Sequence, residues 1–347
     1  MKIFYGIQGT GNGHITRGRI MAREFRAADL EVTYQFTGRP QDKFFDMEVF
    51  NGHQWREGLT FNTNNGKINH LRTVLQSKPL RFLKDIRALD LSNYDLVICD
   101  FEPVTSWAAR RQGKKTVGFS HQYAFQYDIP RAGSDPMSEL VLKKFAPVDL
   151  GIGLHWHHFD QPLLPPVIET PFNAEQLQKN KIVVYLPFEN QQHIIKLFSR
   201  FKDFEFHIYS PEVIPSPFAH IFCKPLSLAG FQKDLADCAG IICNAGFELA
   251  SESLQLGKKI LVKPVHAQLE QASNAAALRA LGYGHTMQTV DAAIIEEWLY
   301  ITKALRVTFP NTAKHLVEWI KAGMPPIDQS WCHQIWSEVK IIPVDLA

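Results

Sequence analysis

Ala239–Ala275 reads AGIICNAGFELASESLQLGKKILVKPVHAQLEQASNA, and the reading of this stretch decides the fold. Gly240 to Cys243 is a short apolar run that reads as a buried strand, Gly246 punctuates a turn, a helix follows as far as Leu256, and Lys259 to Val262 reads as a second buried strand. A helix that opens at the carboxyl end of a strand points its unpaired N–H groups and the positive end of its dipole at the sheet edge, where an anion such as a diphosphate is held. Glu252 lies about 9 Å down that helix at ~1.5 Å per residue, far enough from the phosphates for its carboxylate to accept hydrogen bonds from ribose hydroxyls. A nucleotide fits along such a helix.

Asn244, Gly246, Glu252, Gly257, Pro264, Glu270, Gln271, Asn274 and Ala275 follow one another in an order that resembles the donor-binding half of the GT-B nucleotide-sugar glycosyltransferases, in particular the family 1 enzymes and the peptidoglycan N-acetylglucosaminyltransferase. Each match alone is weak; the ordered set is specific. The resemblance implies an α/β chain of GT-B type, two Rossmann-like doubly wound domains facing an interdomain cleft. It also implies transfer of a sugar from a nucleoside diphosphate, with uracil the habitual base, to a glycan, lipid or small-molecule acceptor hydroxyl, with inversion and with neither cofactor nor metal. The donor-binding residues it carries over are Asn244, Gly246, Phe247, Glu252, Glu270 and Gln271.

Three places depart from the family pattern. Asn244 stands where the plant enzymes have histidine, and its amide can still donate to a phosphate. Glu248-Leu249 replaces an Asn-Ser pair, putting a carboxylate near the diphosphate, which is unfavourable unless it meets sugar hydroxyls, a cation or solvent. Phosphate binding then rests on the backbone N–H groups of Gly246 and Phe247, helped by a basic residue such as Arg17. Pro187-Phe188-Glu189-Asn190 stands in place of a small-residue turn.

Bulk properties agree with a soluble two-domain protein. The chain has 347 residues, a net charge of +2 and pI ≈ 8.2, which does not announce a nucleic-acid partner. Five cysteines, an odd number without a CxxC pair, suit free thiols in a reducing compartment. Met1 runs directly into the first expected strand without a charged leader, so a cytoplasmic location is expected.

The first half alternates apolar strands with helices, the pattern of a parallel sheet covered on both faces, and the alternation resumes after prolines 162, 165, 166 and 171. The expected organisation is an acceptor-side domain over 1–160, a linker over 161–180, a donor-binding domain over 181–325, and a tail over 326–347 that the resemblance sends back onto the first domain. Such sheets bind ligands outside the carboxyl ends of their strands, so the two domains line a common cleft.

Gly9-Thr10-Gly11-Asn12-Gly13-His14 follows the first strand. Its spacing is GxGxGH, not the dinucleotide GxGxxG, and the second strand ends in Thr37 without the acid that a ribose would need, although Arg39 leaves an NADP reading open. In inverting GT-B enzymes a glycine turn ending in Gly-His brings an imidazole to the cleft as general base, and an ordinary pKa near ~6.5 suits imidazole to that work. A base needs an orienting partner, and Asp100, after the strand Leu96 to Cys99, is the expected one; the competing role for Asp100 is N-cap of the helix near Pro103. Gly11, Gly13, Arg17, Glu102, His121 and Glu248 are secondary candidates. His155-Trp156-His157-His158 has no convincing metal-ligand spacing and reads as an interface element.

Between Phe44 and Leu91 the chain is longer than a crossover needs, and Arg72, Lys78, Arg81, Lys84 and Arg87 accompany leucines in an apolar and basic helix pair. A solvated face is the plain reading; contact with an anionic membrane surface or a lipid-diphosphate acceptor is the sharper one. Two other functions fit the same motifs: a nucleotide-sugar 2-epimerase, and a non-catalytic nucleotide-sugar-binding protein.

Overall fold

The computed structural model describes residues 1–59, 63–64, 67–68, 78–133, 136–169 and 176–346. Its first sheet contains β1 (Lys2–Gln8), β2 (Glu31–Thr37) and β3 (Gln54–Trp55); β4 (Thr63–Asn64) and β5 (Lys67–Ile68) form a separate antiparallel pair, and the sheet resumes with β6 (Leu96–Asp100), β7 (Thr116–Ser120) and β8 (Leu150–Gly153). The second sheet contains β9 (Gln178–Tyr185), β10 (Glu205–Ser210), β11 (Ile221–Pro225), β12 (Cys238–Asn244), β13 (Lys259–Lys263) and β14 (His285–Thr286). Strand orders β3-β2-β1-β6-β7-β8 and β11-β10-β9-β12-β13-β14 are the same topology twice, parallel throughout.

Helices α1 (Asn12–Ala27), α2 (Pro79–Ala88), α3 (Pro103–Arg111) and α4 (Pro136–Lys144) belong to the first half; α5 (Gln191–Phe198), α6 (Leu228–Asp237), α7 (Phe247–Gln255), α8 (Leu269–Ala280) and α9 (Ala292–Leu299) belong to the second. Because helices cover both faces, inner strands are apolar on both: Ile241 and Cys243 join one core cluster while Ile242, between them, joins another. The first of these clusters runs across the domain seam, from Tyr5 and Ile98 through Trp156 to Phe247 and Leu254.

Boundaries shift in ways that matter. Helix α1 begins at Asn12, so His14 stands in its first turn, and the strand expected to end at Cys99 includes Asp100. Within the interval 161–180 expected as a linker, Leu154 pairs with Leu164, Leu163 and Leu164 are fully buried, and β9 starts at Gln178. Pro171 and the segment around Arg72 lie outside the described residues.

The chain crosses back before 326. Helix α10 (Thr312–Lys321) packs on α1, with Asn311 Nδ2 donating to Glu24 Oε1 at 2.8 Å. Helix α11 (Gln329–Trp336) lies on the end of the first half of the chain, Trp336 Nε1 donating to the Leu163 carbonyl at 2.7 Å. The end of the chain does not stay there: β16 (Lys340–Asp345) returns to pair with β15 (Lys303–Thr308).

Candidate functional site

In each sheet the strand order reverses between two neighbours, β1 and β6 in the first and β9 and β12 in the second, and a crevice opens at such a point beyond the carboxyl ends. His14 follows β1 and Asp100 ends β6, with Ile7 opposite Asp100 in register, so topology alone brings together two residues 86 positions apart. Nδ1 of His14 lies 2.7 Å from Asp100 Oδ1. The backbone at Phe101 is left-handed, φ 51°, a costly conformation that turns the chain directly after Asp100.

That turn separates two carboxylates into two roles. Glu102, not Asp100, caps α3: it accepts from the Val104 and Thr105 N–H groups, each at 2.7 Å, and from Thr37 Oγ1 at 2.8 Å. Glu102 is fully buried, and burial raises its carboxyl despite these bonds. As a secondary candidate base it is therefore withdrawn, since its acceptor positions are taken by a structural cap. Asp100 remains free of the cap and faces His14.

Arg17, one turn further along α1 and 1% exposed, completes the cluster. Its Nε and Nη2 donate to Asp100 Oδ2 and Oδ1 at 2.8 and 2.6 Å, a bidentate fork, while Nη1 donates to Glu248 Oε1 on the opposite domain. Burial alone would raise the Asp100 carboxyl, but the Arg17 guanidinium and His14 outweigh it and hold the group below the usual carboxylate range. Arg17, expected to assist the diphosphate, is engaged instead within this cluster, with Nε, Nη2 and Nη1 each donating to one of two carboxylates.

The same contact answers the question that Glu248 raises. Its carboxylate meets a cation across the cleft, and Gly13 makes room for it, since a Cβ there would lie 2.6 Å from Glu248 Cγ. Glu248 Oε2 is buried without a partner.

Several donor-side residues do other work than expected. The Asn244 amide donates to the Lys263 carbonyl at 2.9 Å, so the group expected to reach the diphosphate is occupied, and its Oδ1 is the orphan, a buried acceptor. The Gly246 N–H donates to the Asn244 carbonyl at 2.8 Å; the helix donors left without intrahelical acceptors are those of Phe247, Glu248 and Leu249. An added Cβ on Gly246 or Gly11 would meet nothing within 4 Å. Glu252 is partly buried on α7 and burial, reinforced by Glu169, pushes its carboxyl up to about 7. Gln271 is 8% exposed and accepts from the Val265 N–H at 2.9 Å, fixing the loop into α8, while Glu270 Oε2 accepts from Gln122 Nε2 at 3.1 Å.

His121 is brought to the seam and not into reach of His14's partner. Its nitrogens lie 2.9 Å from the Leu154 carbonyl oxygen and 2.6 Å from Asn274 Oδ1, and its ring stacks on Phe247 at 4.1 Å between centroids. Burial lowers this imidazole. Phe247 also stacks on Trp156, whose Nε1 donates to Ser251 Oγ at 2.7 Å, so the segment 155–156 is the interface element that its aromatic character suggested.

Sequence reasoning missed three contributors. Arg39, weighed for an NADP phosphate, donates instead to the carbonyls of Gly9 and Thr10 and to Asn12 Oδ1, pinning the glycine turn. Lys263, at the carboxyl end of β13, is paired with Glu189 at 2.5 Å, which gives the departure at 187–190 a purpose. Gln122 was hidden in a stretch without periodicity. Among the described residues, ligand atoms of His158, Asp160 and His333 lie within 4.8 Å of one another, on the seam with α11.

A family model described as "Glycosyl transferase family 1" matches residues 1–146 and 155–302. No curated protein sequence matches the chain. Among solved structures, the glycotransferase of kitacinnamycin is similar over 93% of this chain and 99% of its own, with TM-score 0.60 and 14% identity. The glycosyltransferase SnogD from Streptomyces nogalater is similar over 97% and 99%, with TM-score 0.53 and 16% identity. MurG of Acinetobacter baumannii is similar over 92% and 99%, with TM-score 0.52 and 14% identity. These structures have the GT-B fold of two facing α/β domains, and this chain shares it.

Proposed function

The chain belongs to glycosyl transferase family 1, and from that premise we propose that it moves a hexose from a nucleoside diphosphate, with uracil the expected base, to an acceptor hydroxyl, with inversion and without a metal ion. The observation that carries the reading is the His14–Asp100 pair at one topological switch point, facing the first turn of α7 at the other. In the proposed step His14 Nε2 takes the proton of the acceptor hydroxyl as its oxygen bonds the anomeric carbon. The bond from that carbon to the phosphate oxygen breaks, and its electron pair leaves with the diphosphate.

The imidazolium so formed is stabilised by Asp100, held as an anion by Arg17. The free N–H groups of Phe247, Glu248 and Leu249 and the α7 dipole suit the charge that develops on the leaving group. Two buried orphan acceptors, Asn244 Oδ1 and Glu248 Oε2, call for hydrogen-bond donors, which sugar hydroxyls supply and phosphates do not.

Thermal-shift measurements with UDP-, GDP- and dTDP-sugars test the donor class, because binding to the folded state alone raises apparent stability. One sugar nucleotide is expected to raise the Tm and to support transfer. Isomerisation of that ligand without acceptor would favour the epimerase, binding without turnover the non-catalytic protein, and no shift with any of them would defeat the nucleotide-sugar site.

A cytoplasmic protein touching the inner membrane face is the proposed setting. No helix among the described residues is long and apolar enough to cross a membrane. On α2, Leu80 and Leu83 are 82% and 44% exposed, with Lys84 and Arg87 on the same face of the helix. Liposomes rich in anionic lipid should retain the protein and release Lys84→Glu/Arg87→Glu; equal recovery from neutral and anionic liposomes would refute this setting.

A further inference from the structure

Nδ1 of His14 is contested. It lies 2.7 Å from Asp100 Oδ1, an acceptor, and 2.8 Å from Arg17 Nη2, a donor. The two arrangements give opposite tautomers. With its hydrogen on Nδ1 the ring donates to Asp100 and presents a bare Nε2, able to accept a proton. With Nδ1 accepting from Arg17 the hydrogen sits on Nε2, and the ring cannot act as a base there.

Charge decides such a contest. Arg17 and Asp100 alone cancel, which weakens Asp100 as an acceptor and leaves an Arg17 N–H to spare for the imidazole. Glu248 changes that balance from the other domain: it takes the Nη1 side of the guanidinium, away from His14, and leaves the trio of Arg17, Asp100 and Glu248 with one net negative charge. The contact is built for: Arg17 is 2% exposed and Glu248 11% by side chain, and only the absence of a side chain on Gly13 lets Glu248 reach so far.

We propose that Glu248 is a positioning residue for the base: by holding Arg17 from across the cleft it fixes His14 in the tautomer with its hydrogen on Nδ1, so that the base is armed only when the two domains meet. The proposal rests on the reading of His14 as base for its consequence in turnover, but not for the tautomer itself. A carboxylate that looked out of place beside a diphosphate thus has its work on the acceptor side.

Nitrogen-15 NMR of histidine-labelled full-length protein, with the His14 signals identified by their loss in His14→Asn, reads the tautomer without any substrate. The unsubstituted protein should show hydrogen on Nδ1. In Glu248→Gln the population should move towards hydrogen on Nε2, with turnover down about tenfold or more. Glu248→Asp should recover part of both. Gly13→Ala, which crowds the Glu248 side chain but leaves its charge, should shift the tautomer in the same direction. An unchanged tautomer in Glu248→Gln overturns the proposal, whatever happens to stability. A changed tautomer with unchanged turnover upholds the coupling and instead removes His14 as the base.

Discussion

On the wall of the cleft built by the first sheet, His14, Arg17 and Asp100 satisfy one another, whereas on the facing wall Asn244 Oδ1 and Glu248 Oε2 are buried acceptors with no partner. The first wall is finished before any ligand arrives. Its polar groups are oriented by bonds that cost no rearrangement at the moment of reaction, which is what a proton-transfer site needs. The second is finished only in part, and a buried polar atom left unpaired costs about 1–3 kcal/mol, a cost that a ligand with matching donors removes. On the proposed reading, one wall serves chemistry and the other recognition.

The largest effect that separates the walls should come from Asp100→Asn. Loss of the anion that orients His14 should lower turnover by about 10²–10⁴ while the sugar nucleotide binds as before, measured by single-turnover transfer beside calorimetric titration. A parallel loss of donor affinity would mean that the two walls are not independent.

Phe247→Ala strikes the seam between them. Its ring stacks on His121 and Trp156, so its removal should cost about 3–5 kcal/mol in urea unfolding. A cost below about 1 kcal/mol would show that the domains do not meet through this ring.

Gly246→Ala probes the recognition wall alone. No atom lies within 4 Å of the added Cβ and φ is −73°, so stability should change by less than about 1 kcal/mol. Donor affinity should nonetheless fall about tenfold if the open space at the start of α7 belongs to the ligand. Equal affinity would place the diphosphate elsewhere.

The smallest effect is a pH dependence. With the Glu252 carboxyl pushed up to about 7, donor affinity should weaken several-fold as pH falls through about 7 and the charged acceptor offered to ribose becomes a neutral acid that accepts more weakly, and Glu252→Gln should flatten that dependence. The sign for stability is opposite: a carboxyl raised in the folded state contributes stability below its unfolded value that is lost as pH rises through about 7. A donor affinity independent of pH between 6 and 8 would remove Glu252 from the ribose.

Both halves of the fold were legible because strand runs such as Leu96–Asp100 and Cys238–Asn244 are largely apolar on both faces and alternate with helices, the pattern of a covered parallel sheet. Meeting points at strand ends were legible too, since topology fixes them: His14 and Asp100 come from two such ends. What sequence could not supply was the partner of each polar atom. Asn244 reads as a donor to phosphate until Lys263 is seen opposite it in register, and Glu102 reads as a base until the left-handed turn at Phe101 directs it to the helix start. Contacts between domains, such as Arg17 with Glu248, depend on the angle at which two rigid bodies meet. No local pattern encodes that angle; only the missing side chain at Gly13 hints at it.

The central claim is that His14 removes the acceptor proton in a sugar transfer. His14→Ala, assayed for transfer from the sugar nucleotide identified by thermal shift and titrated with that same ligand, tests it most directly. The account predicts donor affinity within about twofold of the unsubstituted protein and transfer reduced by at least about 10². Transfer at the unsubstituted rate would contradict it.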